Sequence, residues 1–301
     1  MTKRNNIAIL GYGEMGHAMQ HLLEKENELS LWDKFPEEGI EVINLQDIIP
    51  QADFILFCLP VNPHREVLRQ IKPLLKPGSI CISIAKGLDE SGQTAAQIFE
   101  DNLDNNHFYA LLYGPMISEE IRLSRYAFAQ LGCSHSEAGE KTLDLYKESK
   151  LLLETTDDIT GISWSVILKN VYALLFGMAD ELNLGDNMRG FLMVETLTEL
   201  DKIVREMGGT SGSPYHLAGL GDLVTTSTSE SSFHHSLGRE LARGDRKGIK
   251  GEGVHTLQMV NKHKIFNPLD YPLFKLVSDI VSQPVDVKKE IFNYITKRQK
   301  D

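Results

Sequence analysis

Residues 6–16 read NIAILGYGEMG. The run NIAIL (6–10) is apolar and rich in β-branched side chains, the mark of a buried strand. Residues 14–25 then place Met15, Ala18, Met19, Leu22 and Leu23 at helical spacing. Between strand and helix stand Gly11, Gly13 and Gly16, a G-x-G-x-x-G turn that contains Glu14 and Met15. The first glycine permits the tight turn, the second lets backbone approach a pyrophosphate, and the third lets helix pack on strand. The helix N-terminus then offers its unpaired N–H groups to phosphate. A second strand, ELSLWD (28–33), ends on Asp33, roughly 20 residues on, where an acidic side chain accepts hydrogen bonds from a ribose 2′-hydroxyl. The stretch predicts a dinucleotide site that takes NAD; a glycine turn in another α/β fold is the alternative. Lys34, beside Asp33, suits a 2′-phosphate, yet the carboxylate makes NADP the less favoured cofactor.

Outward from this turn the chain alternates. DFILFCL (53–59), SICISIA (79–85), FYALLYG (108–114), AFAQLG (127–132) and LLLET (151–155) read as strands, and 63–72 and 91–103 as helices. Apolar runs alternating with helices predict a largely parallel sheet covered on both faces. After about residue 158 the pattern changes. Residues 160–182, 187–207, 213–219, 232–243, 252–263, 270–281 and 286–297 all read as helices. The expected fold class is α/β: a doubly wound parallel sheet in a dinucleotide-binding domain, 1–158, followed by an all-α substrate and catalytic domain, 159–301.

Bulk composition narrows the function. The chain has 301 residues, 42% hydrophobic and 24% charged, with a formal net charge of -11. An acidic balance argues against nucleic acid or an anionic membrane as partner, though a local basic pocket for a small anion remains compatible with it. Cys58, Cys81 and Cys133 form no CxxC pair, so reduced thiols in a cytoplasmic protein are expected. No membrane span is expected, because the apolar run 164–179 is short and carries Lys169 and Asn170.

That run, WSVILKNVYALLFGMA (164–179), poses the functional question. A lysine in an apolar helix either snorkels to water or has chemistry to perform. The motifs around it occur as an ordered set: AKG (85–87), YGPMISEEI (113–121), ITGISWSVILKN (159–170), HLAGLGDLVTTSTS (216–229) and GEGV (251–254). Together they resemble the NAD(P)-dependent glycerol-3-phosphate dehydrogenases, from about residue 6 to about residue 275. The resemblance implies an N-terminal Rossmann domain, a helical substrate domain and, as a further expectation, a homodimer. It makes Lys169 the acid/base of hydride transfer, its pKa lowered by the apolar setting into a useful range. It makes Lys86 a second lysine near nicotinamide and substrate, where a surface lysine is the alternative. Asp222 and Asn170 match positions that orient the lysine and bind substrate; a turn or helix cap is the plainer reading of Asp222. Gly114 and Met116 fall in a loop over the substrate, Ser118 and Glu252 on cofactor contacts, although Glu252 also suits a helix start. His17 is expected near the cofactor, and His64 either beside the adenosine or in solvent.

The resemblance breaks at the substrate's phosphate. The family has Ser-Arg-Asn where this chain has Ser232, Phe233 and His234, followed by His235. Gly238 falls on a later family glycine, so the arginine is absent and not displaced. Gly-Pro-Ser becomes Gly114-Pro115-Met116, and a family arginine becomes Glu195. Neither phenylalanine nor histidine imitates a bidentate arginine. Three readings follow. Dihydroxyacetone phosphate is reduced, with His234, His235 or Lys86 supplying positive charge; or another small hydroxy or keto substrate is used; or the chain is an inactive dinucleotide-binding paralogue. Retention of Lys86, Lys169, Asn170 and Asp222 favours the catalytic readings. His234-His235 lack a third ligand at metal spacing, so no metal is expected.

Overall fold

The computed structural model describes residues 4–36, 43–104, 106–229 and 232–300. The chain forms two compact units, Met1–Asp89 with Gln93–Ile159, and Glu90–Gly92 with Thr160–Asp301.

Among the described residues the first unit has seven strands: β1 (Asn6–Leu10), β2 (Glu28–Trp32), β3 (Phe54–Phe57), β4 (Ile80–Ser83), β5 (Phe108–Tyr113), β6 (Ala127–Cys133) and β7 (Leu151–Thr156). Their spatial order is β2-β1-β3-β4-β5-β6-β7. Ile7–Leu10 of β1 and all of β3 and β4 are buried, as strands covered on both faces must be. The helices are α1 (Glu14–Leu23), α2 (Leu45–Ile48), α3 (His64–Ile71), α4 (Ala95–Asn102), α5 (Ser118–Arg122) and α6 (Ser136–Tyr146). The expected parallel sheet is present with one exception: β6 runs antiparallel to β5 and parallel to β7. The order reverses at β1, which pairs with both β2 and β3. The crevice beyond the carboxyl ends of β1 and β3 is therefore the switch point at which such sheets bind ligands.

The helix expected over 91–103 is shorter. Asp89 and Gln93 close a turn through Asp89 N–H to Gln93 O at 2.9 Å. Thr94 and Gln97 then form a reciprocal capping box, so α4 starts at Ala95.

The second unit is helical: α7 (Ile159–Glu181), α8 (Asp186–Glu206), α9 (Asp222–Thr228), α10 (Phe233–Ala242), α11 (Glu252–His263), α12 (Pro272–Ser282) and α13 (Val287–Arg298). Residues 161–179 of α7 are all buried, including Lys169 and Asn170. By length and apolarity alone α7 passes for a membrane span, with a mean hydropathy of 1.4 over its most apolar window. Since 89% of that window is buried, it reads as a core helix. The stretch 213–219, expected as one helix, is helical but broken and not α-helical. A 3₁₀ turn (Ser213–Tyr215) and a π turn (Leu217–Gly221) occupy that stretch and lead straight into α9. A Cβ at Gly219 would lie 2.1 Å from Pro214 O, so only glycine allows this tight path.

Candidate active site

The glycine turn follows β1 as its spacing predicts. Gly11 has φ of +94°, and a Cβ there would lie 2.7 Å from Cys58 O in the loop after β3. A Cβ on Gly16 would lie 2.3 Å from Gly11 O, so the third glycine lets α1 close on the turn. A Cβ on Gly13 would meet nothing within 4 Å. The second glycine thus serves no packing need of its own unit and leaves room at the start of α1. No side chain caps α1 there, so its first N–H groups face that room. Asp33 directly follows β2, and its carboxylate accepts the N–H groups of Tyr12 (2.7 Å) and Phe35 (2.8 Å). The acid is thereby fixed beside the turn with lone pairs remaining. Glu14 is turned outward, accepting from Ser118 Oγ (3.1 Å) and Arg122 (2.7 Å), while Met15 packs against the core. A cradle that a Cβ would fill, an uncapped helix start and a fixed carboxylate fit a dinucleotide.

Further along the same sheet edge, Lys86 follows β4 and donates from Nζ to Gly114 O at 3.1 Å. Gly114 is required by the close approach of β6, since a Cβ would lie 2.5 Å from Phe128 O. Met116 is buried in the core of the unit, and Ser118 opens α5. His17 lies against Tyr12, with ring centroids 4.0 Å apart. His64 is in neither expected setting. It is 0% exposed, packed against Phe57 and Phe99. Burial lowers its pKa to about 4, so the ring is neutral. The residue opens α3, and Val67, Leu68 and Ile71 complete the same apolar face at helical spacing.

In the second unit Lys169 and Asn170 look in different directions, as neighbours on a helix must. Lys169 Nζ lies 3.1 Å from Asp222 Oδ2 and donates to Thr226 Oγ1 at 2.6 Å. Lysine and aspartate are 4% and 3% exposed, so snorkelling is overturned. Asp222 and Thr226 stand one helical turn apart on α9, which the tight path before it aims at α7. The aspartate offsets the desolvation of the ammonium, so apolar surroundings alone do not set its state. Asn170 Nδ2 donates to Glu252 Oε2 at 3.0 Å. That contact depends on Gly253, whose Cβ would lie 2.5 Å from Asn170 O. Thr226 is the residue the sequence reading missed; its place in GLGDLVTT, four after Asp222, was the available signal.

Ser232 is the N-cap of α10, its Oγ accepting from His235 N–H at 3.3 Å. Phe233 is exposed and lies over Gly251, where a Cβ would come 2.6 Å from its ring. His234 Nε2 accepts the Gly253 N–H at 3.2 Å. An imidazolium has no lone pair to accept with, so the arrangement calls for a neutral ring. In this arrangement His234 offers an acceptor and not a positive charge. His235 is buried and pairs through Nε2 with Asp180 Oδ2 at 2.8 Å. Glu195, at the other departure, is held by Tyr294 and Arg298.

A glycine cradle at the switch point of a doubly wound sheet, together with a helical unit that buries a lysine–carboxylate–hydroxyl group, defines a nicotinamide-dependent dehydrogenase. Residues 33–139 match the family model for the NAD-dependent glycerol-3-phosphate dehydrogenase N-terminus, and 158–292 the model for its C-terminus. The chain belongs to the NAD-dependent glycerol-3-phosphate dehydrogenase family. It is 26% identical to glycerol-3-phosphate dehydrogenase [NAD(P)+] of Nitratidesulfovibrio vulgaris, across 98% of this chain and 99% of that one. It is 29% identical to the enzyme of that name from Moorella thermoacetica, across 91% and 92%. The crystal structure of glycerol-3-phosphate dehydrogenase from Coxiella burnetii superposes with a TM-score of 0.84 at 24% identity, covering 97% of this chain and 99% of that one.

Proposed function

We propose that this chain transfers a hydride between NAD(H) and the carbon shared by dihydroxyacetone phosphate and glycerol 3-phosphate. The observation that carries the proposal is Lys169, buried and held by Asp222 and Thr226. When bound, the nicotinamide supplies or accepts the hydride. The Lys169 ammonium gives a proton to the ketone oxygen during reduction and recovers it in the reverse direction. Asp222 and Thr226 fix the lysine, the separate Asn170–Glu252 pair serves substrate and cofactor, and Lys86 adds positive charge for an anionic substrate. Gly11, Gly13, Gly16 and Asp33 hold the dinucleotide. The division of labour proposed is 1–158 for the nucleotide and 159–301 for proton chemistry and substrate, in a cytoplasmic homodimer. The test is NADH oxidation by purified protein across a panel of ketone phosphates and unphosphorylated ketones. Turnover of the unphosphorylated ketones alone would assign another substrate, and no turnover with any would favour the inactive paralogue.

Cofactor choice gives a prediction. Asp33 is fixed at the end of β2 by two backbone N–H groups, so a 2′-phosphate would meet a carboxylate that cannot swing away. NADH is expected to exceed NADPH in kcat/KM by about 10- to 100-fold, as unpaired like charges cost roughly 1.4–2.8 kcal/mol. Comparing kcat/KM for the two cofactors decides it, and a preference for NADPH would transfer the role to Lys34.

The substrate end gives another. At the start of α10 the positive end of the helix dipole is present and the arginine is not. While His234 accepts from Gly253, it adds no charge, and KM for dihydroxyacetone phosphate is not expected to climb between about pH 6 and 8. The double substitution Phe233→Arg with His234→Asn is expected to lower that KM about 10- to 100-fold, the worth of a charge-assisted contact of roughly 1.5–3 kcal/mol. Steady-state kinetics of parent and variant check both statements. An unchanged KM in the variant would mean that the phosphate is held elsewhere.

A further inference from the structure

We propose that the first turn of α3 is a positioning device that brackets Lys86, with His64 holding the chain before it and Arg65 the chain after it. β3 and β4 are parallel neighbours, with Phe57 opposite Ser83, so their following loops leave the sheet side by side. His64 lies between those loops. Its Nδ1 is 2.8 Å from Pro60 O and its Nε2 is 2.9 Å from Ser83 Oγ. A carbonyl oxygen only accepts, so the proton is on Nδ1 and Nε2 accepts from the serine. Ser83 Oγ in turn accepts the Ala85 N–H at 3.2 Å. The relay has one consistent direction: Ala85 N–H to Ser83, Ser83 O–H to His64, His64 N–H to Pro60.

Arg65 works on the far side. Its guanidinium donates to Asp89 Oδ2 at 3.1 Å and to the Gln93 side chain. Asp89 is buried, and its other oxygen accepts the Gln93 N–H at 2.9 Å. Ser83 and Asp89 stand three residues before and three after Lys86, so consecutive residues of one helix fix both ends of the segment that carries the lysine. A long, partly exposed lysine side chain is placed no better than its backbone, and the backbone here has no strand or helix of its own. A neutral histidine suits the task because it donates and accepts at once inside an apolar niche made with Phe57 and Phe99.

The inference rests on the proposed role of Lys86 at the substrate. His64→Phe fills the same niche and removes both hydrogen bonds; Ser83→Ala breaks the relay from the other side; Ser83→Thr keeps a hydroxyl. His64→Phe and Ser83→Ala are each expected to lower kcat/KM about 10- to 100-fold, the cost of misplacing a substrate-binding charge by about an ångström. The NADH dissociation constant by fluorescence stays within about twofold, because the glycine cradle is untouched. The double variant is no worse than either single one, since one relay is lost once. Ser83→Thr recovers most of the rate. Imidazole ¹⁵N shifts are expected to show His64 as the Nδ1–H tautomer throughout the range from about pH 5 to 8. Folded His64→Phe and Ser83→Ala proteins at the parent rate, beside an impaired Lys86→Ala, would overturn the bracket alone. A fully active Lys86→Ala would overturn the role of the lysine and the bracket with it. A His64 ring that titrates near its ordinary value would also overturn the relay.

Discussion

Replacing Lys169 with arginine is expected to lower kcat about 10²- to 10⁴-fold, the worth of a positioned general acid, while NADH affinity stays within about twofold. Arginine is the informative substitution because of what lies around the lysine. Asp222 is 3% exposed and its cation is Lys169 at 3.1 Å. Alanine at this position would leave a buried carboxylate without that partner, a loss of about 3–5 kcal/mol that would confuse unfolding with lost chemistry. Arginine keeps the positive charge beside Asp222 and donates to Thr226, yet it does not release a proton near neutrality. The measurement is kcat and the NADH dissociation constant on protein shown by thermal melting to be folded. Thr226→Val should give a smaller loss in the same direction, since it removes one restraint on the lysine and not the proton. An arginine variant that works at the parent rate would mean that Lys169 supplies only charge, and the proton donor would have to be sought elsewhere.

How much of this could be read from the chain follows from the range of each signal. The β1 strand, the glycine turn and Asp33 were legible because strand, turn and cap are encoded within a few neighbours. The reversed direction of β6 was not, because AFAQLG carries the same apolar pattern whichever way it runs. The break of 213–219 into 3₁₀ and π turns was not legible either, because it is set by the close approach of Gly219 to Pro214. His64 within NPHREV suits either the adenosine side or solvent, yet Val67, Leu68 and Ile71 at i+3, i+4 and i+7 put it on the apolar face of α3. Period alone could have buried it. The Lys169–Thr226 contact spans α7 and α9, far apart in sequence, and no local pattern encodes it. The hydrogen bond from Gly253 to His234 was equally hidden, since it depends on backbone 19 residues further along the chain.

Stability of the helical unit should depend on a group that the chemistry does not use. α12 begins with Pro272, which has no N–H, and Tyr271 before it supplies no side-chain cap. The N–H groups of Leu273 and Phe274 would be orphans, and both residues are 0% exposed, so water cannot satisfy them. Glu199, from α8, does so from a distance in sequence: its carboxylate accepts Leu273 N–H at 2.9 Å, Phe274 N–H at 2.6 Å and Tyr172 O–H at 2.8 Å. Glu199→Ala leaves three buried donors without their acceptor, at roughly 1–3 kcal/mol each, so a loss of about 3–9 kcal/mol is expected. For a unit of this size that is a fall in Tm of roughly 6–36 °C. Glu199→Gln keeps the shape but turns one acceptor into a donor facing an N–H, and should cost less. Burial raises the carboxyl above its ordinary 4.5, with the three donors pulling the other way. The folded protein therefore binds this proton more tightly than the unfolded chain. Its contribution is fully present below the ordinary carboxylate range, is lost as pH rises through the raised folded value, and is constant beyond. The glutamine variant lacks that loss, so its deficit relative to the parent should shrink as pH rises from about 4.5 toward neutrality. Urea unfolding of parent, alanine and glutamine proteins at several pH values checks the order and the trend. Equal midpoints for parent and alanine would show that α12 holds its N-terminus without Glu199.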